Sequence, residues 1–324
     1  MKWELVDEKS ERGEEYGIYK SPFGFQIEKT HESMKLLLEA PDVNVENYYS
    51  REMDESYVSV SQYKSFMGKK MGESGCEMAA LAEMRREFVR PTTTAMLVGQ
   101  YCDSYFEGTL PTFMAQHPEI ISSRGKTQGE LKSEYKQASD MVDRAEKDEM
   151  FMKYMNGNKQ VIMTGEIMGI PFKIKIDSED GNRITDLKTC QTLNPDNEHG
   201  FFIYDNRTRE KYTFIEGWGY DLQLAAYREI YRQNTGKTVP CFICAISKDK
   251  TDNISHPRIE IIEIPPQRMD ERLIEIQSNI RHIQSLKTGE MEPIACGTCD
   301  YCADTLPLIR PISLDELEIG VHGV

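Results

Sequence analysis

A chain of 324 residues is long enough to bury a full core, while its mean hydropathy of -0.57 and lack of a long apolar run exclude a membrane span. A net charge of -15 excludes a simple basic-surface binder of nucleic acid, because such affinity comes from phosphate contacts. Eight cysteines behind an N-terminus, Met1-Lys2-Trp3-Glu4-Leu5, that has no apolar leader point to a cytoplasmic protein without disulfides.

In chain order, residues 1–56 read as an acidic N-terminal extension with little periodic structure: residues 1–57 hold fourteen acids against seven bases. A lid, a partner-docking arm and a solvated extension all fit that composition. A helix over Val58–Phe66, with Ser59 and Ser61 as candidate caps, and an amphipathic helix over Glu77–Val89, stopped before Pro91, open the next region. Helices are predicted over about 94–107 and 129–155, then strands over about 160–167, 171–177 and 183–189. A helix over about 211–233, strands over about 239–247 and 258–264 and a last helix over about 267–286 complete a domain spanning 57–302. Residues 303–324 read as an acidic C-terminal tail, with Asp315, Glu316 and Glu318. Helix, three-stranded meander, helix and strand is the order of an α/β (α+β mixed) fold, a mixed sheet flanked by helices.

The chemistry concentrates on the middle strands. Phe172-Lys173-Ile174-Lys175-Ile176-Asp177 and Ile184-Thr185-Asp186-Leu187-Lys188-Thr189 alternate, and Glu179-Asp180-Gly181-Asn182 between them carries a hairpin signal. Asp186 and Lys188 share a face by the two-residue period. A two- or four-residue loop brings Asp177 to that face, and a three-residue loop sends it to the other. Two carboxylates and the Leu187 carbonyl make an all-oxygen set suited to Mg2+ or Mn2+. Lys188 is placed to serve a nucleophile or offset developing negative charge. Downstream, Gln223 and Tyr227 lie four residues apart and stack on one helical face.

Cys296-Gly297-Thr298-Cys299-Asp300-Tyr301-Cys302 is a tight thiolate array that asks for a fourth ligand, for which Cys76 is the best candidate. Four thiolates suit zinc or an iron–sulfur cluster alike. Cys241 and Cys244 share the same spacing but sit in an apolar strand and read as buried small hydrophobes. Cys102 and Cys190 flank the acidic residues with no sign of an activated thiolate.

Taken together, these residues resemble the PD-(D/E)xK nuclease superfamily, specifically its RecB-like and RecE-like phage-type exonuclease branch, over roughly residues 57–302. The resemblance implies a restriction-endonuclease-like core in which Asp177 and Asp186-Leu187-Lys188 occupy the metal-binding motifs and Gln223 to Tyr227 the Gln-x-x-x-Tyr motif that holds DNA. It also implies a first helix around Gly99, where the family's metal-ligating histidine is replaced by Asp103, and a further acid on the preceding strand, Glu166. By likeness to the Cas4-like and AddB-like relatives, Cys76, Cys296, Cys299 and Cys302 would hold a [4Fe-4S] cluster, with zinc as the alternative. The implied activity is a Mg2+- or Mn2+-dependent DNA exonuclease at duplex ends in phage or prophage recombination, working with a single-strand annealing protein and assembled as a homo-oligomer. Two other readings stand beside it: a structure- or sequence-specific endonuclease on the same core, and a non-catalytic DNA-binding or assembly module whose acids pair with Lys173 and Lys175.

Overall fold

A computed structural model describes residues 2–11, 14–69, 75–196, 200–205, 209–252 and 254–315. The N-terminal part holds β1 (Glu4–Glu11), β2 (Glu14–Lys20), β3 (Gln26–Thr30), α1 (His31–Glu39) and α2 (Arg51–Ser56). Next come α3 (Val60–Met67), α4 (Glu77–Met84), α5 (Thr94–Phe106), α6 (Leu110–Gln116), α7 (Ser133–Glu146) and α8 (Glu149–Met155). The strands β4 (Asn158–Ile167), β5 (Ile170–Glu179) and β6 (Ile184–Cys190) precede a short pair, β7 (Phe202–Tyr204) and β8 (Lys211–Thr213). After α9 (Phe214–Gly217) and α10 (Tyr220–Thr235) come β9 (Cys241–Ser247), a second short pair, β10 (Lys250–Thr251) and β11 (Ile254–Ser255), and β12 (Ile259–Glu263). The last described elements are α11 (Pro266–Thr288) and α12 (Asp300–Thr305).

The central sheet has the order β12-β9-β6-β5-β4. Its one parallel contact, β6 against β9 with Leu187 opposite Cys244, follows from the α10 crossover that joins them. β9 is buried on both faces, and the period-two rule divides its residues between two cores. Ile243 and Ala245 pack with Phe172, Ile174, Leu224, Ile230 and Ile280 beneath α10 and α11. Cys244 and Ile246 pack with Leu187, Tyr101, Met141 and Phe151 beneath α5, α7 and α8. The result is the mixed sheet flanked by helices that the element order predicts.

Four local expectations are corrected. Residues 1–56 are not an unpatterned extension: β1, β2 and β3 form an antiparallel sheet in chain order, and Trp3, Tyr19, Met34, Leu37 and Met53 form a core of their own against Ile162 of β4. The Trp3 indole donates to the Thr164 carbonyl at 3.0 Å and the Ser21 hydroxyl to the Asn234 carbonyl at 2.7 Å, so the segment is fastened to the sheet and to the end of α10. The helix expected over 77–89 stops at Met84, because Arg86 turns to a positive φ of 64° and its guanidinium reaches the Tyr49 carbonyl and Asp54. The helix expected over 129–155 is two helices, the second capped by Asp148, whose side chain accepts from the Phe151 N–H. The helix expected over 211–233 starts only at Tyr220; Gly219, at φ 65°, separates it from α9, whose capping box is formed by Thr213 and Glu216. Glu316 and Glu318 of the acidic tail lie outside the described residues.

Candidate active site and cysteine centre

The hairpin loop has four residues: Ser178 faces Thr185 and Glu179 faces Ile184, which puts Asp177 and Asp186 on one face. The ladder ends there. Beyond those two pairs β5 and β6 part, and the Asp177 carboxylate takes the place of the missing strand contact by accepting the Leu187 N–H at 3.0 Å. The carbonyl of a strand residue leaves on the same edge as its N–H, so the Leu187 oxygen is directed to the gap that Asp177 occupies.

α5 and α10 close that gap from either side of the sheet. α5, capped by Thr93, brings Asp103, and α10 brings Gln223 and Tyr227. The Gln223 amide donates to Asp186 Oδ1 at 2.6 Å and to the Tyr227 hydroxyl at 3.1 Å, the two contacts a four-residue spacing allows. Lys188 is in ion-pair contact with Asp186 Oδ2. Asp103, Asp177, Asp186, Lys188, Gln223 and Tyr227 all line one cavity of about 330 Å³. Of the predicted oxygen set and its partners, the structure therefore brings together every member except Glu166.

Glu166 is a correction. Antiparallel register sets it opposite Pro171, near the far turn of the β4–β5 hairpin, six residues along β5 from Asp177 and so about 20 Å away by strand rise. There its buried carboxylate pairs with Lys29 and accepts the Gly169 N–H at 2.7 Å, a satisfied structural role.

The electrostatics of the cavity mark it as short of positive charge. Burial, opposed by Lys188 and reinforced by Asp177, pushes Asp186 up to about 7. Burial first and Asp177 second raise Asp103 well above the carboxylate range. Burial pulls on Lys188 in the opposite sense, yet Asp186, Asp177 and Asp103 outweigh it and hold the ammonium above the ordinary lysine value. Asp186 Oδ2 is buried, and among the described residues the contact it makes is with the Lys188 ammonium. Three carboxylates that share one ammonium, beside a backbone carbonyl, are the donor set a hard divalent cation fits.

Among the residues that escaped the sequence reading are Tyr48 and Tyr49 on the cavity wall, and Glu107 and Gln160 in a small space that shares Asp103 and Asp177 with it. Glu107, four residues after Asp103 on the same face of α5, has its carboxyl raised by burial, and the signal for it was that spacing. Gln160 of β4 approaches Asp177 Oδ1 at 3.4 Å from a positive φ of 51°, a backbone irregularity with no sequence signature. Tyr48 and Tyr49 reach the cavity from the N-terminal part, with the Lys175 ammonium 4.8 Å from the Tyr49 ring centre.

One turn of α4 before Ala80 of the cavity wall, Cys76, the N-cap of that helix, meets the turn that leads into α12. The Cys76, Cys296, Cys299 and Cys302 sulfurs all lie within 4.8 Å of one another, with Cys76 to Cys302 at 3.6 Å and Cys296 to Cys302 at 3.9 Å. Gly297, at φ 74°, makes the turn, and against the effect of burial the Thr298 N–H and hydroxyl pull the Cys296 thiol down to about 6. The four-cysteine group can therefore hold a metal. Cys241 and Cys244 are buried in β9 as expected, and burial pushes both thiols up to about 12, as it does Cys102 and Cys190.

Comparison with known proteins agrees with this architecture. Residues 59–305 match the model of a PDDEXK-like domain of unknown function (DUF3799). The crystal structure of a "Putative exonuclease" from Eubacterium rectale aligns with a TM-score of 0.77 and 39% identity, covering 87% of this chain and 100% of that one. The crystal structure of SSO0001 aligns at a TM-score of 0.28 and 15% identity over 73% of this chain and 96% of that one, too weakly to bear on fold or function. No curated protein matches the chain. With the family model spanning most of its length, and a mixed sheet of restriction-endonuclease-like form at its centre, the chain belongs to the family of the PDDEXK-like domain DUF3799.

Proposed function

We propose that the protein is a divalent-metal-dependent DNA nuclease that hydrolyses phosphodiester bonds from duplex ends. The observation that carries the reading is the meeting of Asp103, Asp177, Asp186, Lys188, Gln223 and Tyr227 in one cavity, where three carboxylates face one paired ammonium. Asp177, Asp186 and the Leu187 carbonyl would hold Mg2+ or Mn2+, with Asp103 completing the set. Bound there, the ion supplies Lewis-acid polarisation of a phosphoryl oxygen and a lowered water pKa. Lys188, kept protonated by the surrounding carboxylates, donates to an attacking water or to the oxygen that gains charge in the transition state. Gln223, which ties Asp186 to Tyr227, fixes the Asp186 carboxylate and presents the phenol to the strand.

The exonuclease form of the reading is supported by the named Eubacterium rectale relative, and the expected setting is phage or prophage recombination, with an oligomeric enzyme feeding a single-strand annealing protein. No helix among the described residues is long and apolar enough to cross a membrane. At the cysteines we propose one metal centre that staples α4 to α12. Four sulfurs within 4.8 Å of one another, two of the pairs at 3.6 and 3.9 Å, favour a single tetrahedral ion with metal–sulfur bonds of about 2.3 Å. A cubane cluster, expected from the likeness to Cas4-like proteins, needs the four thiolates splayed wider. Metal analysis of anaerobically purified protein separates the two: one zinc per chain and no colour, or iron with sulfide and a broad visible band.

The activity test uses two DNA forms. Linear duplex DNA is expected to be degraded in Mg2+, with closed circular DNA spared, and Asp186→Ala and Lys188→Ala each to abolish the degradation. Cleavage of the closed circle would instead establish an endonuclease. Full activity in both variants would remove the site assignment.

A further inference from the structure

A groove of about 680 Å³ opens beside the acidic cavity and shares Ser61, Ser65 and Glu83 with its wall, so the two spaces adjoin. Its lining differs in kind from the rest of this acidic protein. Phe88, Trp218 and Tyr301 supply aromatic faces, and Lys64, Lys69 and Arg90 supply cations. The Lys69 ammonium stands 5.2 Å from the Trp218 ring, Phe88 meets Tyr301 edge to face with centroids 5.3 Å apart, and Lys64 donates to the Trp218 carbonyl at 3.2 Å. The acids on its wall are Glu83, which is paired with Arg90, and Asp300. Cys299, Asp300 and Tyr301 come from the cysteine turn, so that centre shapes one side of the groove.

Aromatic faces interleaved with cations are what an unpaired nucleic acid strand requires, because every base offers a face for stacking and every phosphate a charge. Bases within a duplex are already stacked and cannot reach such side chains, which argues for a single strand over a double one. Charge is consistent with a polyanionic occupant: in a chain of net charge -15, this wall carries Lys69, Arg90 and Lys64, whose ammonium burial pulls down to about 7, against Glu83 and Asp300.

We propose that this groove is a track for one DNA strand, leading along Trp218 and Tyr301 between the acidic cavity and the cysteine centre. The proposal rests on the nuclease reading and adds to it where the strand that enters or leaves the cavity is held.

The chain has two tryptophans, Trp3 and Trp218, and Trp3 is buried against β4, so intrinsic fluorescence reports on the groove. With the full-length protein in EDTA, titration with an oligothymidylate of about ten nucleotides is expected to quench tryptophan emission saturably. Trp218→Phe should abolish the quenching, which assigns the signal to the groove, and affinity is read separately by anisotropy of a labelled oligonucleotide. Tyr301→Ala and Lys69→Ala, each checked for native circular dichroism, should weaken that affinity by about tenfold. An absence of quenching, an affinity unmoved by both substitutions, or equal binding of a blunt duplex of the same length would overturn the track. The same preparation is assayed for degradation of linear duplex in Mg2+. Degradation without quenching rejects the groove and spares the nuclease, whereas quenching without degradation rejects the nuclease and leaves a single-strand binding groove.

Discussion

β5 carries two clusters of buried charge four residues apart, and they are built on opposite plans. At Lys173 every charged group is hydrogen-bonded: its ammonium donates to the Tyr48 carbonyl at 2.5 Å and to Asp54 Oδ1 at 2.8 Å, Arg86 takes Asp54 Oδ2 at 2.6 Å, and Lys287 donates to the Asp54 and Tyr57 carbonyls. At Asp177 three carboxylates share one ion-paired ammonium. The first cluster joins the N-terminal part to the central sheet and to α11. The second sacrifices stability by crowding like charges where a cation and a phosphate would relieve them.

Mutations should therefore separate the two clusters by what they damage. Asp186→Ala is expected to cut Mg2+-dependent degradation of linear DNA by on the order of 10³-fold, with chemical unfolding at or above wild-type stability, since it relieves crowded like charge; Lys188→Ala should lose as much activity but also stability, because it leaves the buried carboxylates without their ammonium. Asp54→Ala should do the reverse. It strands the Lys173 ammonium and is expected to cost about 3–5 kcal/mol in urea unfolding, with activity falling only as the folded fraction falls. A stable but inactive Asp54→Ala would erase the contrast.

A smaller effect comes from Lys287, whose ammonium burial pulls down to about 7 in the folded state. Between pH 7 and the ordinary lysine value the unfolded chain binds the proton that the folded chain has lost, so this group makes stability rise with pH across that window. Lys287→Met should flatten the rise between pH 7 and 9.5, read from urea midpoints, and an unchanged slope would put its origin elsewhere. The smallest effect on activity is expected of Glu166→Gln. Because Glu166 pairs with Lys29 far from the cavity, the folded enzyme should keep activity within about twofold while losing roughly 1 kcal/mol of stability. A large fall in activity at unchanged stability would return Glu166 to the site.

What could be read from the sequence follows the same physical division. The β5–β6 hairpin was legible because alternation and the Asp-Gly step mark two strands and a turn, although the loop length that sets the face of Asp177 came only from the fold, and Gln223 with Tyr227 because helical spacing is local information. The cysteine group was legible because thiolates at tight spacing have few other uses, although only the fold brings Cys76 to the other three. The N-terminal sheet was not legible. β1 is exposed along nearly its whole length, so it carries no alternation, and the segment is held by scattered anchors such as Trp3 and Tyr19. Glu166 misled because an acid on the right strand says nothing of its distance along the hairpin, which is set by pairing with Pro171. Gln160 was invisible because its approach to Asp177 depends on a positive-φ kink within β4.

The central claim is that Asp177, Asp186 and their neighbours form a divalent-cation site, and calorimetric titration of Mn2+ into the wild-type protein and three variants tests it most directly. The account predicts saturable binding in the wild type that is lost in Asp177→Ala and Asp186→Ala and retained in Glu166→Gln. Absence of specific Mn2+ binding in the wild type, or binding unaltered by loss of either aspartate, would contradict it.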